Sequence, residues 1–174
     1  MKRNLVISFI GVDQPGLVRS IADVVSSNHG NWLESRMSQL ASQFAGVAVV
    51  EVDEGHMDAL KNALTNLEGI SSMVQETEPR TEIKNPRVLG LNIVGLDRPG
   101  ILHDVTMALE SNVANVVEME TNISAAPMSG DLTFSADARI EVPYEMDWGV
   151  IADQLDEVAI KLGVDILLDD DSYQ

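Results

Sequence analysis

Seven residues, Gly11-Val12-Asp13-Gln14-Pro15-Gly16-Leu17, return 84 positions later as Gly95-Leu96-Asp97-Arg98-Pro99-Gly100-Ile101. At the same offset Leu5 matches Leu89, Asn28 matches Asn112, Asn31 matches Asn115 and Glu34 matches Glu118. Gly69 and Gly163 continue the correspondence at an offset of 94, so the second copy carries about ten additional residues. These fall near Ala125–Gly130 and around Pro143–Asp147, where an insertion lengthens loops and leaves the elements intact. A repeat of this length fixes the architecture before any local reading begins, because one small unit must be built twice.

Each copy carries the same alternation of periods. Leu5, Ile7 and Phe9 alternate with Val6, Ser8 and Ile10, and Leu89, Leu91 and Ile93 repeat the pattern, as in a half-buried strand. After the Asp-x-Pro-Gly turn, Leu17, Val18, Ile21, Ala22, Val24 and Val25 give a helical stripe, matched by Ile101, Leu102, Val105, Ala108 and Leu109. Pro15 and Pro99 stand just before these helices, where a missing N–H costs little. A strand from Trp32 to about Leu40 and another from Phe44 to Val52 follow; the latter reappears as Leu132 to Val142. Met57, Leu60, Leu64 and Leu67 mark a second helix, as do Ile151, Leu155, Val158 and Leu162, with Gly69 and Gly163 expected as C-terminal caps. Ile70 to Thr77 and Val164 to Leu168 close the units. The order β-α-β-β-α-β predicts an α+β protein of two tandem ferredoxin-like domains, each a four-stranded antiparallel sheet with two helices on one face. The boundaries expected are 1–78, a Pro-containing connector at 79–86, and 87–174.

Charge narrows the function. The chain has 28 acidic against 11 basic residues, a net charge of −17. Such a field repels nucleic acid and anionic lipid, and the bases are scattered apart from Arg80, Lys84 and Arg87 in the connector. Direct DNA binding and membrane association are not expected. There is no cysteine, which removes disulfides and thiolate metal sites and fits a reducing cytoplasm. The basic start before Leu5-Val6-Ile7 is too short in its apolar run for a secretory leader. The closing Asp169-Asp170-Asp171 reads as a solvated tail.

No catalytic constellation, metal motif or cofactor loop is expected. His29 reads as a turn residue and His56 as a helix-start residue, while His103 could overlook the pocket beside Asp97. None has a partner at metal-site or triad spacing. What the sequence offers instead is the repeated loop. Gly16 and Gly100 let a ligand approach the backbone, and the amides that follow, through Leu17 and Val18 or Ile101 and Leu102, open a helix whose first turn favours a carboxylate. Asp13 and Asp97 beside them suit an ammonium group. Acid and helix N-terminus together match a zwitterion, that is, a free amino acid, and Asn31 and Asn115 could bridge either end. The same residues are also compatible with plain turns, in which the aspartates cap the helices.

A first strand ending in Gly-x-Asp-x-Pro-Gly, an amphipathic helix and an Asn entering the second strand resemble the ACT domain, in two consecutive copies over nearly the whole chain. The resemblance implies a ligand held between two domains by Asp13, Gln14, Pro15, Gly16, Leu17 and Asn31 in one copy. In the other copy it implies Asp97, Arg98, Pro99, Gly100, Ile101 and Asn115. It also implies a homodimer. Leu33-Glu34-Ser35-Arg36-Met37 through Phe44 is similar to the family of glycine cleavage system transcriptional repressors. That likeness implies a glycine-responsive regulator acting through a DNA-binding activator protein, with no enzyme activity and no catalytic domain attached. Gln14 faces Arg98 and Trp32 faces Val116 across the repeat, so the two sites are not expected to be equivalent, and Trp32 could fill one of them. A ligand-free interaction module, with the loops as mere turns, is the alternative.

Overall fold

The computed structural model describes residues 1–77, 86–126 and 129–170. The chain divides into two compact units, Met1–Thr81 and Glu82–Gln174. The first runs β1 (Lys2–Val12), α1 (Leu17–Ser27), β2 (Asn31–Leu40), β3 (Gln43–Asp53), a 3-10 turn (Glu54–His56) leading into α2 (Met57–Thr65), and β4 (Ile70–Glu76). The second repeats it as β5 (Pro86–Leu96), α3 (Ile101–Ser111), β6 (Asn115–Ala125), β7 (Leu132–Pro143), α4 (Gly149–Leu162) and β8 (Val164–Asp170). The sheets are ordered β2-β3-β1-β4 and β6-β7-β5-β8, with every pairing antiparallel. This is the ferredoxin-like order, built twice. The expected connector at 79–86 lies outside the described residues except for Pro86, which opens β5.

Alternation puts one face of each strand under the helices. Leu5, Ile7 and Phe9 on β1 meet Val50 and Val52 on β3, and α1 and α2 close over them with Ile21, Val25, Leu60 and Leu64. Leu89, Leu91 and Ile93 play the same part in the second unit, beneath Ile101, Val105, Ile151 and Leu155. Each such side chain, fully removed from water, contributes on the order of 1.5–3 kcal/mol. The two cores have no residue in common. In each unit the sheet face away from the helices stays uncovered by them.

Two expectations are corrected. Gly69 does not end α2: the helix stops at Thr65 with Asn66 as its C-cap, and Gly69, at φ 77°, serves the turn into β4. Leu67, periodic with the helix, lies in that turn and still packs on the core. Gly163, at φ 62°, does cap α4. Asp169 and Asp170 are exposed, as a solvated run would be, but they are not a tail: they are the end of β8, paired with Gly90 and Leu89 of the central strand. Asp171 lies outside the described residues.

Candidate functional site

The loop between the first strand and first helix has the same form in both units. Gly16 and Gly100 are the N-caps of α1 and α3, at φ 93° and 97°, a left-handed conformation that favours glycine. No side chain caps either helix, so Asp13 and Asp97 are not capping residues. Their own amides are instead pinned to the hairpin opposite, Asp13 N–H donating to Ser42 O at 3.0 Å and Asp97 N–H to Leu132 O at 2.8 Å. The carboxylates are left at the surface, as are Gln14, Pro15, Arg98 and Pro99, while Leu17 and Ile101 turn into the cores. Gln14 and Arg98 hold one position in the repeat: each points its terminal nitrogen towards the glycine turn before the last strand, at Gly69 and Gly163.

In the first unit this loop walls a recess of about 240 Å³, lined by Asp13, Gln14, Gly16, Leu17, Val18, Arg19 and Phe44. Arg19 and Phe44 are additions that sequence reading missed. Arg19 sits in the first turn of α1 beside Asp23, its Nε 3.5 Å from that carboxylate. Phe44 comes from β3, where it lies opposite Gly11 and stacks on Phe9 at 6.4 Å between centroids. An acid, a guanidinium, an uncapped helix N-terminus and an aromatic edge therefore meet in one small depression. A Cβ built on Gly16 or Gly100 meets nothing within 4 Å, so the space above both glycines is open.

The asparagines are elsewhere. Asn31 stands in the row Asn31–Glu51–Asn4, whereas the loop leaves the sheet at the row Leu40–Gln43–Val12. Those rows are eight residues apart on β1, about 26 Å at the rise of an extended strand. Asn115 stands opposite Glu141 and Val88, equally far from Asp97 at the other end of β5. Within one unit, then, the loop and the asparagine do not meet. Trp32 is half-buried and packs on the first unit's core, and Val116, its counterpart, is 36% exposed.

The histidines form no centre with the loops. His29, at φ 59°, lies against His56 with ring centroids 4.4 Å apart. His103 faces Asp104, Nδ1 to Oδ1 3.1 Å, and Lys161 Nζ donates to the other oxygen of that carboxylate at 2.8 Å. The Lys161 hydrogen bond first, and His103 second, hold Asp104 below the usual carboxylate range. Asp104 and Lys161 border a cleft of about 450 Å³ between α3 and α4, larger than the loop recess and lined by none of the ligand-site residues expected from sequence. Among the described residues no three His, Cys, Asp or Glu side chains converge on a metal-binding position, and no helix is long and apolar enough to cross a membrane.

Comparison with known proteins agrees with this architecture. Residues 3–72 match the family model of the ACT domain. No curated protein sequence matches the chain. An unknown protein from Galdieria sulphuraria superposes with a TM-score of 0.87 and 27% identity, covering 98% of this chain and 99% of its own. The crystal structure of a protein described as a candidate glycine cleavage system transcriptional repressor superposes with a TM-score of 0.72 and 16% identity, covering 97% of each chain. Residues 3–72 thus match the ACT domain, and the chain as a whole is a tandem of two ferredoxin-like units similar in fold to that structure.

Proposed function

We propose that this protein is an amino-acid-responsive regulator, with a small amino acid, glycine foremost, as its effector. The observation that carries the reading is the recess at Asp13 and Gly16, where a carboxylate, an uncapped helix N-terminus and Arg19 stand together. The ligand's ammonium would pair with Asp13, and its carboxylate would take amides of the first helical turn, among which the Leu17 N–H already donates to Gln14 O at 3.4 Å. Asp97 and Gly100 offer a second such loop. Asn31 or Asn115 could reach a ligand only from another unit, since each stands about 26 Å from the loop of its own unit. The acidic charge of −17 favours action through a protein partner, such as a DNA-binding activator, over contact with DNA. The ACT domain in the first unit speaks for a regulatory rather than catalytic role, exercised in the cytoplasm.

Thermal unfolding against the twenty amino acids tests this directly. A ligand selective for the folded state at about 100 times its dissociation constant adds roughly 2.7 kcal/mol, a plain upward shift in Tm. Glycine, or another small amino acid, should produce it, and Asp13→Ala or Asp97→Ala should remove it. If no amino acid shifts the transition at millimolar concentration, the sensor reading fails. The separation of Asp13 from Asn31 favours one competing reading, a ligand-free interaction module, and that result would establish it.

A further inference from the structure

The two units differ at one end in a way that the repeat does not require. Two of the chain's three histidines, His29 and His56, stand far apart in sequence and meet in the first unit, their ring planes inclined at 52° and their centroids 4.4 Å apart. Both side chains are exposed, yet each backbone is held in place. His29 lies in the turn from α1 to β2, where its amide donates to Ser26 O at 3.1 Å and the Gly30 amide donates to Val25 O at 2.8 Å. A Cβ on Gly30 would meet Val25 Cγ1 at 2.9 Å and Val50 Cγ1 at 3.0 Å, so this turn packs directly on α1 and β3. His56 ends the 3-10 turn after β3 and is the N-cap of α2. That turn is tied to the start of β1 by Glu54 N–H, which donates to Met1 O at 2.9 Å. The corresponding places in the second unit hold Val113, at φ 56° in the same left-handed turn, and Trp148, the N-cap of α4, which packs on the core. The second unit makes both turns without an imidazole, so turn geometry does not account for the pair.

We infer that His29 and His56 form a binding site for a divalent late transition metal, of the zinc, nickel and copper class, with water completing its coordination. Imidazole nitrogen suits these ions, whereas magnesium and calcium take oxygen ligands. With a nitrogen–metal bond of about 2.0–2.1 Å, two imidazoles in adjacent positions on one ion have ring centres about 4.5–5 Å apart. The separation in the structure is a small side-chain rotation from that arrangement, and neither backbone has to move. Because both turns are already anchored and the rings already adjoin, little ordering is left for binding to impose. The net charge of −17 draws cations to the whole surface, and the imidazole pair selects among them. Two protein ligands leave the ion positions open to water, the arrangement of an exchangeable site rather than a closed structural one. A bound ion clamps the α1–β2 turn to the β3–α2 turn. The place is remote from the Asp13 loop. Asp53, where the 3-10 turn begins, pairs with Lys2, and the loop leaves β1 at Val12, ten residues or about 33 Å away. This inference does not rest on amino-acid binding.

The full chain, stripped with a chelator and returned to a non-chelating buffer, is titrated with zinc chloride by calorimetry, and its thermal unfolding is followed with and without zinc. Zinc should bind at one ion per chain and raise the Tm of the first unit, and magnesium chloride should do neither. His29→Gln and His56→Gln each keep a polar side chain at an exposed position. Either should weaken zinc binding at least about 10-fold while circular dichroism stays native, since losing a ligand costs no less than losing its supporting partner. His103→Gln, in the second unit, should bind zinc as the wild type does. A wild-type chain that takes up no zinc at millimolar concentration overturns the inference. So does an equal response to magnesium, or zinc binding unchanged when both His29→Gln and His56→Gln are present, since each assigns the ion to surface carboxylates. Because no amino acid is present in these measurements, either result is separable from the fate of the sensor reading.

Discussion

Gly16 and Gly100 stand at φ 93° and 97° with open space where a Cβ would project, so their cost of replacement is purely one of backbone conformation. Gly16→Ala and Gly100→Ala should each destabilise by about 1–2 kcal/mol, read as a fall in urea midpoint at constant slope. Asn112 is a different case. It is 5% exposed, and its Nδ2 donates both to Ala108 O and to Gln154 Oε1, tying α3 to α4. Asn28, its counterpart, is only half-buried and donates to Val24 O within its own helix. Asn112→Ala should therefore cost about 1–3 kcal/mol and Asn28→Ala distinctly less, compared by chemical denaturation. Asp104 supplies the pH dependence. Its carboxyl group is held below the usual range chiefly by the Lys161 hydrogen bond, then by His103. Its stabilising contribution is accordingly complete above the unfolded carboxylate range and lost as pH falls through the lowered value. Lys161→Met should move the acid limb of unfolding to higher pH, measured by denaturation between about pH 2 and 5.

At the scale of elements, the helices and strands were legible because their periods are clean. Leu5, Ile7 and Phe9 alternate, and Leu17, Ile21 and Val25 recur at helical spacing; the structure buries both sets. Where reading failed, sequence pattern and spatial role had parted. Leu67 keeps the helical period but serves the core from a turn, which moved the expected cap to Gly69. Asp169 and Asp170 look like a solvated acid run, yet antiparallel pairing with Gly90 and Leu89 constrains their backbone, whatever their charge. The candidate site was legible in part. Asp13 and Gly16 were visible as a repeat, but Arg19 and Phe44 reach the recess from a helix and from a strand across the sheet, which no linear spacing announces. Asn31 is close to Asp13 in sequence and far from it in space, because α1 carries the chain back along the sheet before β2 begins.

On the scale of the whole molecule, each unit owns a closed hydrophobic core, so damage should stay local. Ile7→Ala and Ile93→Ala both empty a fully buried site and should each cost about 2–5 kcal/mol. In calorimetry, Ile7→Ala should lower the transition of the first unit and leave the second where it was, and Ile93→Ala the reverse. One further feature acts on populations of molecules rather than on one. The rim strands β2 and β6 both break register at the same place, the pairing skipping Leu33 between Trp32 and Glu34 and Val117 between Val116 and Glu118. A bulged rim offers a poor template for an incoming strand from another chain. Molecules crowded together, as at high expression, would thus be hindered from zipping along these two rims, while the opposite rims, β4 and β8, pair without such a break.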